Sequence, residues 1–199
     1  FRPSMLVSPS LPRNGEPRTG LSMGEHAEQM AQEWKVSREA QDELALKSHQ
    51  NLARAYNDGF FTDLLTPFNG VSKDNNLRAD LTIEKLRTLK PVFDKKVAPG
   101  QGTLTAGNST PLTDGASAVL LASEEWAKAR NIPVLAYITF SEVAAIDFFN
   151  EKEGLLMAPA YAVPRMLERA GLKLQDFDFY EIHEAFAAQV LCTLDAWQD

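Results

Sequence analysis

His183 and Glu184 stand side by side in "EIHEAFAAQ", residues 181–189. An imidazole can carry a proton or donate a hydrogen bond to an oxygen, and its setting decides which. Before the pair, "DFDFYEI" has the apolar and aromatic texture of a strand; after it, "AFAAQVLCTL" has a helix former at nearly every position. A side chain at such a strand-to-helix corner can point into the cleft where open α/β sheets bind ligands. The positive end of the following helix disfavours an imidazolium there. A neutral ring could then donate to a developing oxyanion, directly or through water. The bland alternative is a satisfied, partly buried histidine with Glu184 as a first-turn helix acid.

A second polar cluster lies in "TAGNSTPLTDGASAVLL", residues 105–121. Gly107, Asn108, Ser109 and Thr110 form a turn between apolar runs, and Asp114–Gly115 marks a tight turn before a buried strand. Glycines there let the backbone approach a neighbour closely. A well-bonded loop tying two strands explains the same residues. No GxxxxGK[ST] phosphate loop and no GxSxG nucleophile elbow occurs. His26 and His49 fall on helices and read as surface or interface residues, since neither has a metal-type partner at a typical spacing. Cys192 sits mid-helix with nothing basic beside it to lower its pKa, so it reads as a small packing residue. Ser141 interrupts the strand pattern "ITFSEVA".

The elements that would carry these residues follow from periodicity and caps. "MGEHAEQMAQEW", Met23 to Trp34, reads as a short helix. Ser37 caps a long amphipathic helix in which Leu44, Ala45, Ser48, Leu52 and Ala55 keep helical spacing, and Gly59 ends it. "FFTDLLTPFN" reads as strand-like, and a short helix stops before Pro91. Beyond residue 100, "ASAVLLAS" reads as a buried strand and "SEEWAKARN" as a helix capped by Ser123. "VLAYITFSEVA" reads as a strand, "APAYAVPRMLERAG" as a helix, "DFDFYEI" as a strand and "HEAFAAQVLCTL" as a helix. This alternation argues an α/β layer with crossover connections.

Bulk properties exclude several classes. With a net charge of -7 across 199 residues there is no nucleic-acid footprint. The single cysteine excludes an internal disulfide or multi-cysteine zinc site. No apolar run approaches the length of a membrane span. The start, "FRPSMLVSPSLPRNGEPRTG", has no apolar signal region, and both ends read as cut. The single cysteine fits a reducing compartment.

Six stretches, in order, resemble the thiolase family: "GLSMGEHAEQMA", "SREAQDELALKSHQ", "LKPVFDKK", "GTLTAGNSTPLTDGASAVLLAS", "LLMAPAYAVPRMLERAGL" and "EIHEAFAAQ". They cover nearly all of residues 20–192. The HEAF form, where NEAF is commoner, is similar to the beta-subunit branch of the fatty-acid oxidation trifunctional complex and its bacterial acetyl-CoA acyltransferase counterparts.

The resemblance implies an α/β fold, a partial thiolase fold with a mixed sheet, helices on both faces and an inserted, mainly helical loop domain. Residues 1–19 would be a linker and 20–100 the loop domain that covers coenzyme A. Residues 101–122 would close the first half, and 123–199 would begin the second, truncated. It also implies roles. His183 matches the position that, with a bound water, forms the oxyanion hole; Glu184, Ala185 and Phe186 support and line it. Ser141 matches a contact to the pantetheine arm, Met23 a residue near the acyl pocket, and Lys90 a neighbour of the CoA phosphates. Asn108 braces the active-site loops. The family's nucleophilic cysteine, GHP histidine and second cysteine have no counterpart in these 199 residues, so an internal, inactive fragment is expected. The implied reaction is thiolysis of a 3-ketoacyl-CoA, with coenzyme A as substrate and no metal or redox cofactor. The implied partners are further copies, as a homodimer or tetramer, and an alpha subunit with hydratase and dehydrogenase activities. One rival is a non-catalytic CoA- or lipid-binding module of the same fold. Another is an interaction domain built on the long helix.

Overall fold

A computed structural model describes residues 14–150 and 153–198, so the first 13 residues of the expected linker lie outside the described residues. Among the described residues six α-helices run in chain order: α1 (Met23–Glu33), α2 (Arg38–Asn57), α3 (Ile83–Arg87), α4 (Glu124–Lys128), α5 (Ala158–Ala170) and α6 (Ala187–Ala196). A 3₁₀ turn, Leu174–Asp176, follows α5.

The helices stop and start where local chemistry says they should. Ser22 caps α1 through a reciprocal box: Glu25 N donates to Ser22 Oγ (3.2 Å) and Ser22 N donates to the Glu25 carboxylate (2.7 Å). Ser37 accepts from Ala40 N at 3.1 Å, and Ser123 from Trp126 N at 3.2 Å, as their positions suggest. Gly59 follows α2 with φ +74°, and Gly171 closes α5 in the left-handed conformation at φ +66°.

The core forms where α1 meets α6. Ala27, Met30 and Ala31 occupy one face of α1 at i, i+3, i+4 spacing. They pack against Ala188 and Cys192 of α6, with Leu104 and Met157 completing the cluster. Small side chains on both helices let the two axes approach. The second helix also touches α6, as does α5, so α6 is the hub of the helical layer. Cys192 is fully buried, its Sγ 3.8 Å from the Met30 carbonyl. It is a packing residue, as its sequence context indicates. His26 corrects its surface assignment. It is buried, its Nε2 lies 2.9 Å from Thr19 Oγ1, and its ring meets Phe148 edge-on.

The strands differ from expectation. Among the described residues no ladder forms; the pairings are isolated antiparallel bridges, Phe68–Val71, Pro91–Thr105 and Ser109–Phe186. "FFTDLLTPFN" is largely turn, and "ASAVLLAS", "VLAYITFSEVA" and, beyond Asp176 at the end of the 3₁₀ turn, "DFDFYEI" have no regular structure. The mixed sheet is therefore not formed among these residues. The physical reason is pairing: a β-rich run needs a neighbour for its N–H and C=O groups, and its composition does not name that neighbour. "ASAVLLAS" is also not buried: Val119 is 84% exposed.

Candidate functional site

The His183 corner is held by backbone. Thr110 N donates to the Ala185 carbonyl (2.8 Å), Ala187 N donates to the Asn108 carbonyl (3.1 Å), and Ser109 bridges Phe186. The polar turn 107–110 is thus stitched onto the segment that carries His183. Helix α6 begins at Ala187 with Phe186 as its N-cap. That corrects the expected geometry. His183 lies four residues before the helix, so it is outside the first turn where the helix dipole acts. Glu184 is not a first-turn acid; it accepts from Ser48 Oγ of α2 at 2.5 Å.

Asn108 explains why the turn holds its shape. It is 3% exposed, and its Oδ1 accepts from Thr105 N at 2.8 Å. Its Nδ2 donates to Asp42 Oδ1 (3.0 Å) and to the Thr103 carbonyl (3.2 Å). Asp42, buried on α2, also accepts from Arg38 Nε at 2.7 Å, and Arg38 reaches the Leu86 carbonyl at 2.6 Å. One layer further in, the fully buried Glu28 accepts from Thr103 N, Thr103 Oγ1 and Leu104 N, all within 3.0 Å. Every carboxylate in this interior has donors, which is the condition for burying one.

Two cavities flank the corner. The larger, about 700 Å³, is walled by Met23 and Gly24 at the start of α1, Phe93, Leu156, His183 and Phe186. Its lining is mainly apolar, with Asn14, Ser22, Thr110, Glu181, His183 and Gln189 as polar points. Phe93 and Phe186 meet edge-on at 5.9 Å, and Gly24 lies so close under Phe93 that a Cβ there would fall 2.3 Å from the ring. A glycine is what allows the ring to lie on the helix backbone. The smaller cavity, about 250 Å³, lies on the α2 side between Ser48, His49, Asp74, Asn108 and Glu184. His49 Nδ1 accepts from Arg78 N at 3.3 Å, and burial, with the Arg78 charge, pulls its pKa down.

Of the residues expected at the site, Met23, His183 and Phe186 share the larger cavity, and Asn108 and Glu184 line the smaller one. Ser141 and Lys90 line neither. Both are exposed, and the Ser141 carbonyl accepts from Arg169 at 3.4 Å. Cys192 points into the α1–α6 interface, where burial, with Asp195 and Glu33 nearby, pushes its thiol up to about 12. Such a thiol is protonated at neutral pH and is no nucleophile. Sequence reasoning did not single out Glu28, Asp42, Ser48 or Phe93. A signal existed for Glu28: a carboxylate between Ala27 and Ala31, beside the apolar face of α1, needs a partner.

Residues 14–125 match the family profile "Thiolase, N-terminal domain", and residues 132–198 match "Thiolase, C-terminal domain". A 3-ketoacyl-CoA thiolase of Yersinia pestis (strain Pestoides F) is 44% identical over 192 residues, 94% of this chain and 42% of that protein. Among solved structures, human mitochondrial 3-ketoacyl-CoA thiolase in complex with CoA superposes with a TM-score of 0.83 at 34% identity, covering 93% of this chain and 45% of that one. The acetyl-CoA acetyltransferase of Bacillus anthracis gives 0.80 at 36%, covering 93% and 47%. The chain therefore spans less than half the length of these relatives. With two consecutive domain profiles accounting for nearly all its residues, and a fold shared with solved thiolases, the chain has a partial thiolase fold and belongs to the thiolase family.

Proposed function

We propose that this chain is the acyl-CoA-binding and oxyanion-stabilising portion of an acetyl-CoA C-acyltransferase. The complete protein cleaves a 3-ketoacyl-CoA with CoA to acetyl-CoA and a shortened acyl-CoA. The observation that carries the proposal is the convergence of Met23, Phe93, His183 and Phe186 on one apolar cavity with a single imidazole on its wall. That is the composition a thioester site needs: an apolar surround for the acyl chain and a donor for the carbonyl oxygen. His183 donates to that oxygen as charge builds on it, directly or through water. A relative solved with CoA bound lends support.

The acyl group passes through a cysteine thioester, with two half-reactions in ping-pong order. The only thiol in the 199 residues, Cys192, is buried and protonated. The nucleophile therefore belongs to a part of the protein outside this chain. Strands from that part would also cover the apolar runs left open at Val119, Leu135 and Phe179. Ser141 and Lys90, away from the cavity, are proposed to meet the pantetheine arm and phosphates of the same ligand, which is longer than the cavity. Coenzyme A is a substrate, and no further cofactor is proposed. Self-association as a dimer or tetramer, a hydratase/dehydrogenase alpha subunit, and a bacterial cytoplasmic or a mitochondrial setting are proposed from the resemblance. Among the described residues no helix is long and apolar enough to cross a membrane.

The test is acetyl-CoA formation from a 3-ketoacyl-CoA and CoA. It compares the 199-residue chain with the product of the whole open reading frame that contains it. The whole product is expected to turn over, and His183→Ala to lower its kcat by about 10²–10³, the usual cost of one oxyanion donor. The 199-residue chain is expected to be inactive. An inactive whole product, or full activity in His183→Ala, would refute the assignment. The buried thiol also favours a second reading, a CoA- or lipid-binding module without chemistry. An open reading frame bounded at Phe1 and Asp199 would select it.

A further inference from the structure

His183 and Glu184 are neighbours in sequence but face different cavities: His183 lines the large apolar one, and Glu184 lines the small one against α2. On the C-terminal side of His183 the chain is fixed by main-chain bonds from Thr110 to Ala185 and from Ala187 to Asn108. On the N-terminal side, residues 177–182 are without regular structure. The bond that Glu184 accepts from Ser48 Oγ at 2.5 Å is thus the side-chain anchor next to His183. It is short and charge-assisted, with Glu184 open to solvent, which screens such a bond. Ser48 itself is half-buried in the third turn of α2. The same helix reaches the corner a second way, through Asp42 to Asn108.

Resting on the reading of His183 as the thioester donor, we infer that Ser48 is a positioning residue. By holding Glu184 on the α2 side, it keeps His183 turned toward the opposite cavity. The donor must sit at hydrogen-bond distance from the carbonyl oxygen, and a small misplacement weakens it steeply. Ser48 touches no substrate; it acts only through the Glu184 anchor. Helix α2 then serves as the strut that aims the imidazole.

The test reads donor alignment without turnover. Acetyl-CoA is bound to the 199-residue chain, and the thioester carbonyl stretch is recorded by isotope-edited infrared difference spectroscopy. A well-aligned donor shifts the band to lower wavenumber. The parent chain is expected to show the shift and His183→Ala to lose it. Ser48→Ala is expected to lose most of it while keeping the parent's thermal midpoint, and Ser48→Thr, which retains the hydroxyl, to restore it. A shift intact in Ser48→Ala but lost in His183→Ala overturns the role of Ser48 and leaves that of His183 standing. No acetyl-CoA binding, no shift in the parent, or a shift that persists in His183→Ala overturns both. Loss of the shift accompanied by a lowered thermal midpoint that Ser48→Thr fails to correct assigns Ser48 a structural role and also overturns the inference.

Discussion

Two regions of the chain use opposite strategies. Around α1, α2 and α6, most buried polar groups are matched donor to acceptor: Glu28 to Thr103 and Leu104, Asp42 to Arg38 and Asn108, Gln189 to Thr193; among the described residues Gln41 Oε1 and Ser109 Oγ are the exceptions. In the segments 111–122, 133–147 and 177–182 the side chains are apolar but open, with Leu112 at 96% exposed and Leu135 at 94%. The first region supplies most of its own partners. The second has the composition of strands and no partner among the described residues. The comparison teaches that the site's rigidity comes from the polar helical region. The apolar runs add the cavity's outer wall, through Leu112 and Ile182, and little of its support.

Breaking the matched region should cost most. Glu28→Ala strands the Thr103 and Leu104 N–H groups in the interior. A loss of about 3 kcal/mol is expected from two buried donors deprived of a charged acceptor, read as a lower midpoint in urea unfolding. Gly24→Ala drives a methyl into the Phe93 ring. It is expected to cost about 2 kcal/mol by overpacking and to weaken acyl-CoA binding in the adjoining cavity, both measurable by thermal shift with and without ligand.

The pH response sharpens the same contrast. Burial pulls the His26 pKa below its ordinary 6.5. The unfolded chain then binds more protons than the folded one in the window just below 6.5, so stability falls as pH drops through it. His26→Gln should flatten part of that slope, and His49, shifted in the same direction, should keep the remainder. Unfolding midpoints measured across pH 5–7.5 (approximate limits set around the ordinary histidine range) check this. The smallest effect belongs to the open region. Leu135→Ser and Phe179→Ser should move the unfolding midpoint by no more than about 0.5 kcal/mol in free energy, as for surface sites. They should also reduce aggregation measured by light scattering.

The helices were legible because their signals are local. Ser37, Ser123 and Gly59 mark their boundaries in the sequence, and the Ala27–Met30–Ala31 spacing marks the buried face of α1. The Asn108 turn was legible from its run of Gly, Asn, Ser and Thr, whereas His183 was marked only by its place at a corner. The strands were not, since a ladder is a relation between segments distant in sequence. Nor was the burial of Asp42, while that of Glu28 was signalled only by its flanking Ala27 and Ala31. A charged residue on a helix reads as solvated until its acceptor role toward residues such as Thr103 or Asn108, more than 60 positions away, is known. Phe93 escaped for the same reason: its ring meets α1 and Phe186 only in three dimensions.

The most direct test of the central claim is to map acetyl-CoA onto the chain by two-dimensional NMR. The account expects saturable shifts at Met23, Gly24, Phe93, His183 and Phe186, the walls of one cavity. It expects far smaller ones at Ser48 and His49 across the corner. Shifts centred on the Ser48–His49 side, or none at saturating ligand, would contradict the assignment of His183 to a thioester site.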